Sequence, residues 1–331
     1  MKNKNLITVL VALSLVLFVG AFGFANGQKE SSSQAAASAA PAKPYIPVIS
    51  KGFQHQFWQA VKLGAQKAAV DYNVDINFMG PETEAMVDKQ IDMLTSELAK
   101  NPAAICFAAL DSKAAIPLLQ QAQSRKIPIV GFDSGVDSSI PVTTAATDNV
   151  AAAALAADKM AELIGGSGKV GIIVHDQTSR TGIDRRDGFI NEMKAKYPNI
   201  QIIGPQYGAG DQLKSTDLAK AMIQSNPDMK GFFGANEGSI IGVLNGVKEM
   251  GKVGKIVVIG YDSGKQQLDA IRSGEEAGAI TQDPIGIGYK AVEAAVKSLK
   301  GETMPKFIDT GFHWFDKTNI DDPAIKALLY N

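Results

Sequence analysis

The chain has 331 residues, enough for two domains or one large domain, and its 45% hydrophobic and 20% charged residues are typical of a globular protein. Its formal net charge of −1 at pH 7 excludes the electrostatic signature of a protein that binds nucleic acid or an anionic membrane surface. Cys106 is the only cysteine, so no intramolecular disulfide forms and stability must come from a large buried core.

The first 25 residues have the pattern of a secretory signal peptide. Lys2 and Lys4 precede an apolar stretch that ends in small residues. We predict cleavage after Ala25 and export to the periplasm. A transmembrane anchor is the alternative, because the apolar stretch is about long enough to span a bilayer. Residues 26–43 lack bulky apolar side chains, which predicts a flexible leader.

From residue 45 onward, short apolar segments alternate with amphipathic segments of helical length. The apolar segments include YIPVIS, VDINFMG, IPIVGF, KVGIIVHD, KIVVIGYD and EAGAITQ. The segments between them, such as FWQAVKLGAQKAAVDY, repeat apolar residues three and four positions apart, which is typical of helices. Strands that alternate with helices predict an α/β fold with doubly wound parallel sheets, covered by helices on both faces.

The number of strand–helix units is too large for one sheet, and we therefore predict two lobes. Residues 142–149, VTTAATDN, form a strand that follows another strand directly, which indicates a crossing between lobes. Further crossings are predicted near residues 281–284 and 309–314. The N-terminal lobe would then comprise residues 44–147 plus 283–311, and the C-terminal lobe residues 148–282 plus 312–331. A three-segment hinge of this kind leaves a cleft between the lobes.

Polar side chains follow nearly every predicted strand. These strand ends are Ser50, Asp111, Asp133, His175, Asp176, Asn236, Tyr261, Asp262 and Gln282. In open α/β sheets, ligands bind beyond the carboxyl ends of the strands. Any single Asp or Asn at such a position is also explained as a helix N-cap, but the repetition over many strands favours a ligand site. The mixture of donors and acceptors suits a neutral ligand rich in hydroxyl groups.

The segment SKGFQHQFWQAV places Phe57 and Trp58 beside Gln54 and His55 at the start of a helix. A core does not need the polar groups, and a solvent-facing helix does not need the rings. Aromatic faces pack against the C–H faces of a sugar ring, while polar groups bind the ring's edge. The segment therefore predicts one wall of a sugar site.

Seven motifs occur in order between residues 45 and 312, namely GAQKAA, IPIVGFDS, TAATDN, RRDGF, GANEGSIIGV, VVIGYDSG and AITQDP. In these motifs the chain resembles the periplasmic sugar-binding proteins of ABC importers, especially the ribose-binding-protein-like group. Their fold is shared with the effector domains of lactose-repressor-type regulators. The resemblance implies a type I periplasmic binding fold that closes around one small carbohydrate. It also implies a membrane ABC permease as partner, a monomer, and no cofactor.

The strand ends, the aromatic pair and the resemblance together predict ten ligand-binding residues. They are His55, Phe57, Trp58, Asp133, Asp176, Arg185, Asn236, Tyr261, Asp262 and Gln282. By the same resemblance, Asp148 and Asp283 fall in hinge segments.

The chain also departs from the ribose binders. Ser134 replaces their arginine, Ala108 replaces an asparagine, and the place of a third pocket aromatic falls near Gly210. The hypothesis that follows is a less polar ligand, such as a deoxy sugar or one with an alkyl or thioalkyl substituent.

Other classes of function have weaker support in the sequence. The segment GGSGKV, residues 165–170, lacks the first glycine of a phosphate loop and favours a helix-to-strand turn. His55, His175 and His313 share no metal-ligand spacing, so we predict no metal site and no enzyme. The alternative function is a ligand-presenting component for chemotaxis, a sensor kinase or a furanosyl autoinducer pathway. A sugar-modifying enzyme, the third class, would be revealed by product formation.

Overall fold

The computed structural model describes residues 43–330. The predicted signal peptide, residues 1–25, lies outside this range, as does all of the predicted leader except its last residue. Among the described residues, no helix is both long enough and apolar enough to cross a membrane.

Strands and helices alternate along the described chain, as predicted. The strands are β1 (Tyr45–Ile49), β2 (Asp75–Met79), β3 (Ile105–Phe107), β4 (Ile129–Phe132), β5 (Thr143–Ala146), β6 (Gly168–Val174), β7 (Ile200–Tyr207), β8 (Met229–Gly234), β9 (Val257–Tyr261), β10 (Gly278–Gln282), β11 (Phe307–Asp309) and β12 (Phe312–Phe315). The helices are α1 (Gln56–Tyr72), α2 (Val87–Ala99), α3 (Ile116–Ser124), α4 (Asn149–Ile164), α5 (Arg180–Lys196), α6 (Gln212–Ser225), α7 (Glu237–Glu249), α8 (Lys265–Ser273), α9 (Pro284–Leu299) and α10 (Pro323–Lys326).

The strands form two six-stranded sheets with the same internal order. The first sheet runs β2-β1-β3-β4-β5-β11 and is parallel throughout. The second runs β7-β6-β8-β9-β10-β12. We call each sheet with its packed helices a lobe, the first lobe holding β1 and the second holding β6. In each lobe the strand order reverses at one point, between β1 and β3 or between β6 and β8, which is where doubly wound sheets bind ligands.

One strand differs from the predicted parallel arrangement. β12 pairs with β10 in the antiparallel direction, with Ala279 opposite Phe315 and Gln282 opposite Phe312. Only two residues separate β11 in the first sheet from β12 in the second, so no helix intervenes to return the chain for parallel pairing. An antiparallel edge strand is common on an otherwise parallel sheet.

The chain passes between the sheets after β5, after β10 and between β11 and β12. Both predicted hinge residues lie at these passages, and both are helix N-caps. Asp148 accepts a hydrogen bond from the Ala151 amide at 3.0 Å at the start of α4. Asp283 does the same for the Gly286 amide at 2.7 Å at the start of α9. The caps fix where each helix begins after the chain changes lobe.

Helices α1 and α9 pack backbone against backbone over the first sheet. A Cβ atom on Gly64 would lie 1.9 Å from the carbonyl oxygen of Ile285, and one on Gly288 would lie 1.9 Å from that of Val61. Glycine is required at both positions because a methyl group has no room. The tight contact holds α1, which carries Phe57 and Trp58, against the sheet.

A single buried side chain ties together strand ends beside the switch point of the first sheet. Gln90 of α2 donates from Nε2 to the carbonyl oxygens of Ser50 at 2.9 Å and Ala108 at 2.8 Å. Its Oε1 accepts a hydrogen bond from the Leu110 amide at 2.9 Å. The segments that follow β1 and β3 are therefore held in fixed positions by these three bonds.

The last described residue, Tyr330, reaches the first lobe, whereas Ile320 and Ile325 before it pack in the second lobe, to which residues 312–331 were predicted to belong. Tyr330 is 7% exposed and packs in the core of the first lobe. Its ring centroid lies 6.1 Å from that of Phe57. Its hydroxyl accepts a hydrogen bond from the Ser263 amide of the second lobe at 3.2 Å. The C-terminal segment therefore contacts both lobes beside the aromatic pair.

Candidate ligand-binding site

A cavity lies between the lobes, at the carboxyl ends of both sheets. Most lining residues lie just after a strand or in the first turn of a helix. The first lobe contributes Lys51, His55, Phe57, Trp58, Glu84 and Asp133, and the second contributes His175, Thr181, Arg185, Asn236 and Asp262.

The structure brings seven of the ten predicted ligand-binding residues together in this lining. They are His55, Phe57, Trp58, Asp133, Arg185, Asn236 and Asp262. The other three, Asp176, Tyr261 and Gln282, do not line the cavity.

Tyr261 and Gln282 are buried behind the lining, and the partly exposed Asp176 lies beside it. The ring of Tyr261 lies under Arg185, whose guanidinium carbon is 3.7 Å from the ring centroid. Gln282 donates from Nε2 to Oδ1 of Asp262 at 2.7 Å. Asp176 accepts hydrogen bonds from the hydroxyl and the amide of Ser179, the N-cap of α5. Sequence reasoning finds strand-end residues but does not separate those that face the ligand from those that orient a neighbour.

Sequence reasoning missed Lys51, Glu84 and Thr181, and it named His175 as a strand end without including it among the ligand-binding residues. Lys51 comes one residue after the predicted strand end at Ser50, so a wider window would have included it. Glu84 lies in the loop after β2, five residues beyond the last strand residue, and Thr181 lies in the first turn of α5. No local pattern marks these last two positions.

Asp133 and Asp262 occupy equivalent places in the two lobes, directly after β4 and β9. Both have left-handed backbone conformations, with φ of 54° and 84°. The amide of Asp133 donates to Ala145 at 2.9 Å, and the amide of Asp262 donates to Ile280 at 2.7 Å, in each case on the next strand. Left-handed backbone is uncommon outside glycine, and Asp adopts it more readily than most residues. The repeated turn presents one carboxylate per lobe to the cavity.

Glu84 is anchored by the aromatic pair. The rings of Phe57 and Trp58 meet edge to face, with centroids 5.0 Å apart. Trp58 donates from Nε1 to Oε1 of Glu84 at 2.8 Å. The second oxygen of Glu84 and both ring nitrogens of His55 are buried without a hydrogen-bond partner among residues 43–330. Buried polar atoms normally have partners, so these atoms are candidates to bond a ligand.

Arg185 is held rigidly on the opposite wall. It donates from Nε to Oδ1 of Asn149 at 2.7 Å and from Nη1 to the carbonyl oxygen of Ala235 at 2.9 Å. Asn149 also accepts a hydrogen bond from the Tyr261 hydroxyl at 2.9 Å. These contacts fix the guanidinium plane and leave Nη2 as a donor for the cavity.

Burial and neighbouring charges together set the pKa values of the ionisable side chains that line the cavity. Burial raises the pKa of Asp133 to about 6, against the opposing effect of Lys51 and Arg185. Burial would also raise the pKa of Glu84, but neighbouring positive charge, chiefly that of Lys51, outweighs it and holds that pKa below its usual value. Burial and Lys51 lower the pKa of His175, so its ring is neutral at pH 7.

Lys51 reaches from the first lobe to the second. Its Nζ donates to the Thr181 hydroxyl at 3.0 Å and lies 3.9 Å from Oδ2 of Asp176. Nε2 of His175 lies 3.0 Å from the same hydroxyl. Nearby, the amide of Ser112 donates to the carbonyl oxygen of Thr178 at 3.0 Å. The structure therefore has the lobes closed around the cavity.

The hypothesis that the ligand is less polar than ribose stays a prediction. That hypothesis rested on polar groups missing at Ala108, Ser134 and Gly210. Lys51 and Glu84 supply charged groups from the first lobe instead. A Cβ on Gly210 would lie 3.0 Å from Oε2 of Glu84 and 3.3 Å from Nε2 of His55, so these side chains occupy the space in front of the glycine.

The described residues offer no obvious metal centre. Within residues 43–330, no group of three or more His, Cys, Asp or Glu side chains is placed to hold a metal ion. The Lys51 and Arg185 cations beside the cavity carboxylates instead favour hydrogen bonding to an organic ligand.

Comparison with known proteins identifies the family. The periplasmic binding protein domain matches residues 46–303. The D-allose-binding periplasmic protein of Escherichia coli is 27% identical over 267 residues, covering 78% of this chain and 86% of that protein. A solute-binding protein from Agrobacterium vitis with bound D-fucose is 33% identical, with a TM-score of 0.84 over 86% of this chain and 100% of its own.

A solute-binding protein from Agrobacterium radiobacter in complex with D-arabinose is equally similar, at 33% identity and a TM-score of 0.84. The alignment covers 88% of this chain and 100% of that one. The matches confirm the predicted fold class, two doubly wound lobes of the type I periplasmic binding fold, and the predicted resemblance. The chain belongs to the periplasmic binding protein family, alongside the sugar-binding components of ABC importers.

Proposed function

We propose that this protein captures one small neutral sugar between its lobes and delivers it to a membrane ABC import permease. The observation that carries the proposal is the pairing of an aromatic wall, Phe57 and Trp58, with convergent polar groups from both lobes. Ligand pockets combine apolar surface with a few placed polar groups in this way. The sugars bound by related solute-binding proteins support it.

The free hydrogen-bonding groups match a polyhydroxylated ligand. Asp133 and the second oxygen of Glu84 are available as acceptors. The side chains of Lys51 and Arg185 and the side-chain amide of Asn236 are available as donors. A hydroxyl group both donates and accepts, so it satisfies either kind of partner. Phe57 and Trp58 would pack against the C–H face of the sugar ring.

The charge of the lining disfavours an anionic ligand. Two cations, Lys51 and Arg185, lie with three carboxylates, Glu84, Asp133 and Asp262. The lining therefore has one carboxylate more than it has cations, and a negatively charged ligand would add to that uncompensated buried charge.

A binding screen tests this proposal. The protein is unfolded and refolded to remove any copurified ligand, then heated with D-fucose, D-arabinose, D-allose, D-ribose, other neutral sugars, uronic acids and amino sugars. A ligand at about 100 times its dissociation constant adds roughly 2.7 kcal/mol of stability, enough to raise the Tm by several degrees. We expect a neutral monosaccharide to do so. Stabilisation by charged sugars alone, or by none, would contradict the proposal.

We further propose that the protein releases the sugar without altering it chemically. We also propose that the exported protein is a periplasmic monomer, cleaved after Ala25. Recovery of unaltered sugar after long incubation, followed by NMR, would exclude a sugar-modifying enzyme. The intact mass of the exported protein should correspond to a chain that begins at Asn26. A retained N-terminal segment would favour the transmembrane anchor instead.

A further inference from the structure

Helix α1 carries much of the aromatic wall, yet its first turn lacks a local cap. His55 is the N-cap residue, and its side chain makes no capping hydrogen bond. The first amides of a helix need partners that the helix itself does not supply. Here the partner is a carboxylate of the second lobe. Glu237 accepts a hydrogen bond from the Gln56 amide on Oε1 at 3.0 Å and another from the Phe57 amide on Oε2 at 3.1 Å.

Glu237 is itself fixed to the ligand cavity. Its side chain is only 4% exposed. Its amide donates to Oδ2 of Asp262 at 2.9 Å, and Asp262 lines the cavity. A continuous chain of bonds therefore connects a ligand-facing carboxylate of the second lobe to the helix that presents Phe57 in the first.

The capping between lobes is reciprocal. Helix α8 begins after Gly264, which has no side chain to cap it. The Oε1 atom of Gln56, from the first lobe, accepts a hydrogen bond from the Lys265 amide at 2.7 Å. A Cβ on Gly264 would lie 3.0 Å from that same oxygen, so the glycine permits the close approach. Each lobe thus supplies a cap to a helix of the other.

We propose that Glu237 is a positioning residue for ligand capture. It caps α1 only when the lobes close, and so it couples closure to the placement of Phe57 and Trp58. A carboxylate at a helix N-terminus is favourable because it pairs with unsatisfied amides and with the helix dipole. Contacts made only in the closed state raise ligand affinity by favouring that state. The inference rests on the proposed function, because it assumes a ligand that binds between the lobes.

The test compares Glu237→Gln with wild type and with Glu249→Gln. Glu249 lies on the same helix, is exposed and pairs with Lys220 inside the second lobe, so it is a matched control. With D-fucose as probe, we expect Glu237→Gln to bind about 5- to 30-fold more weakly, the factor for losing a helix cap. The loss should appear in the dissociation rate, because the clamp forms after the first encounter.

Two further measurements separate positioning from a general loss of stability. Without ligand, Glu237→Gln and Glu249→Gln should have similar Tm values, because the cap is absent when the lobes are apart. With ligand, hydrogen exchange of the Gln56 and Phe57 amides should be faster in Glu237→Gln than in wild type. Gln56→Ala, which removes the reciprocal cap, should also speed dissociation.

Two outcomes would overturn the inference. One is equal affinity for Glu237→Gln and Glu249→Gln, and the other is a loss of Tm in Glu237→Gln that is the same with and without ligand. Failure of wild type to bind D-fucose or any other sugar of the screen would count against the proposed function itself. In that case wild type and both variants would all show no binding, whereas failure of the inference about Glu237 alone would leave wild type able to bind the sugar.

Discussion

At the scale of single residues, Asp133 makes ligand binding sensitive to pH. Burial raises its pKa to about 6. A hydroxyl that donates to the carboxylate favours the ionised form, so affinity should fall as the pH falls through about 6. We expect calorimetric titration to show weaker sugar binding at pH 5 than at pH 8.

Asp133→Asn is the matched variant for this effect. It should bind about 10- to 100-fold more weakly at pH 8, the range for losing a hydrogen bond to a charged group. Its affinity should change little between pH 5 and 8, because the titrating carboxyl is gone. A wild-type profile that is flat over this range would show that the ligand does not bond Asp133.

Glu276 is a second buried carboxyl, outside the cavity lining, in the turn between α8 and β10. It is 1% exposed, and burial raises its pKa well above the usual 4.5, with partial opposition from Gln267. Because the folded-state pKa is raised, the stability that this group contributes is fully present below pH 4.5. It is lost as the pH rises towards the folded-state pKa.

Glu276→Gln should therefore stabilise the protein above neutral pH. We expect the free energy of unfolding at pH 8 to rise by about 1 kcal/mol or more, the equivalent of one pKa unit, with little difference at pH 4.5. Denaturant unfolding at both pH values measures this. A variant destabilised at both would show that packing outweighs ionisation.

At the scale of elements, the α1–α9 contact is the most demanding helix packing in the first lobe. Alanine at Gly64 would favour the helix by about 1 kcal/mol on propensity alone. Its methyl group, however, would lie 1.9 Å from the Ile285 carbonyl oxygen, which is backbone and cannot rotate away. We expect Gly64→Ala to lower the free energy of unfolding by about 1–3 kcal/mol, measured with denaturant.

Val70→Ala on the same helix is the control, because Val70 is 81% exposed. It should change stability by less than about 0.5 kcal/mol. A Gly64→Ala protein as stable as wild type would mean that the two helices can separate without cost. In that case α1 would be a less rigid platform for Phe57 and Trp58 than the structure indicates.

At the scale of the whole molecule, the lobes close through contacts between distant parts of the chain. Lys51 donates a hydrogen bond to the Thr181 hydroxyl, and the Ser112 amide donates one to the carbonyl oxygen of Thr178. Hinge closure around a ligand is the general behaviour of two-lobed binding proteins. We expect the radius of gyration from X-ray scattering to decrease when a sugar that the protein binds is added to the ligand-free protein. An unchanged radius would mean that the lobes stay closed without ligand.

The sequence alone was enough to predict the fold and much of the site. Short apolar segments, separated by amphipathic ones, predicted the two doubly wound lobes because periodicity reports which face of each element is buried. The strand-end rule, the aromatic pair and the family resemblance together predicted seven lining residues, including Phe57, Asp133 and Asp262. These positions are accessible to sequence reasoning because the carboxyl ends of parallel strands must meet at one edge of a sheet.

Tertiary structure alone decided the remaining features. Glu84 enters the cavity only because Trp58 anchors it, and Tyr261 stays behind the lining because Arg185 covers it. Lys51 and Thr181 are 130 positions apart, and Glu237 and Phe57 are 180 apart, so no local pattern records their contacts. A sequence pattern reports local burial. Which buried polar groups face each other is decided when two separately folded sheets close on one another.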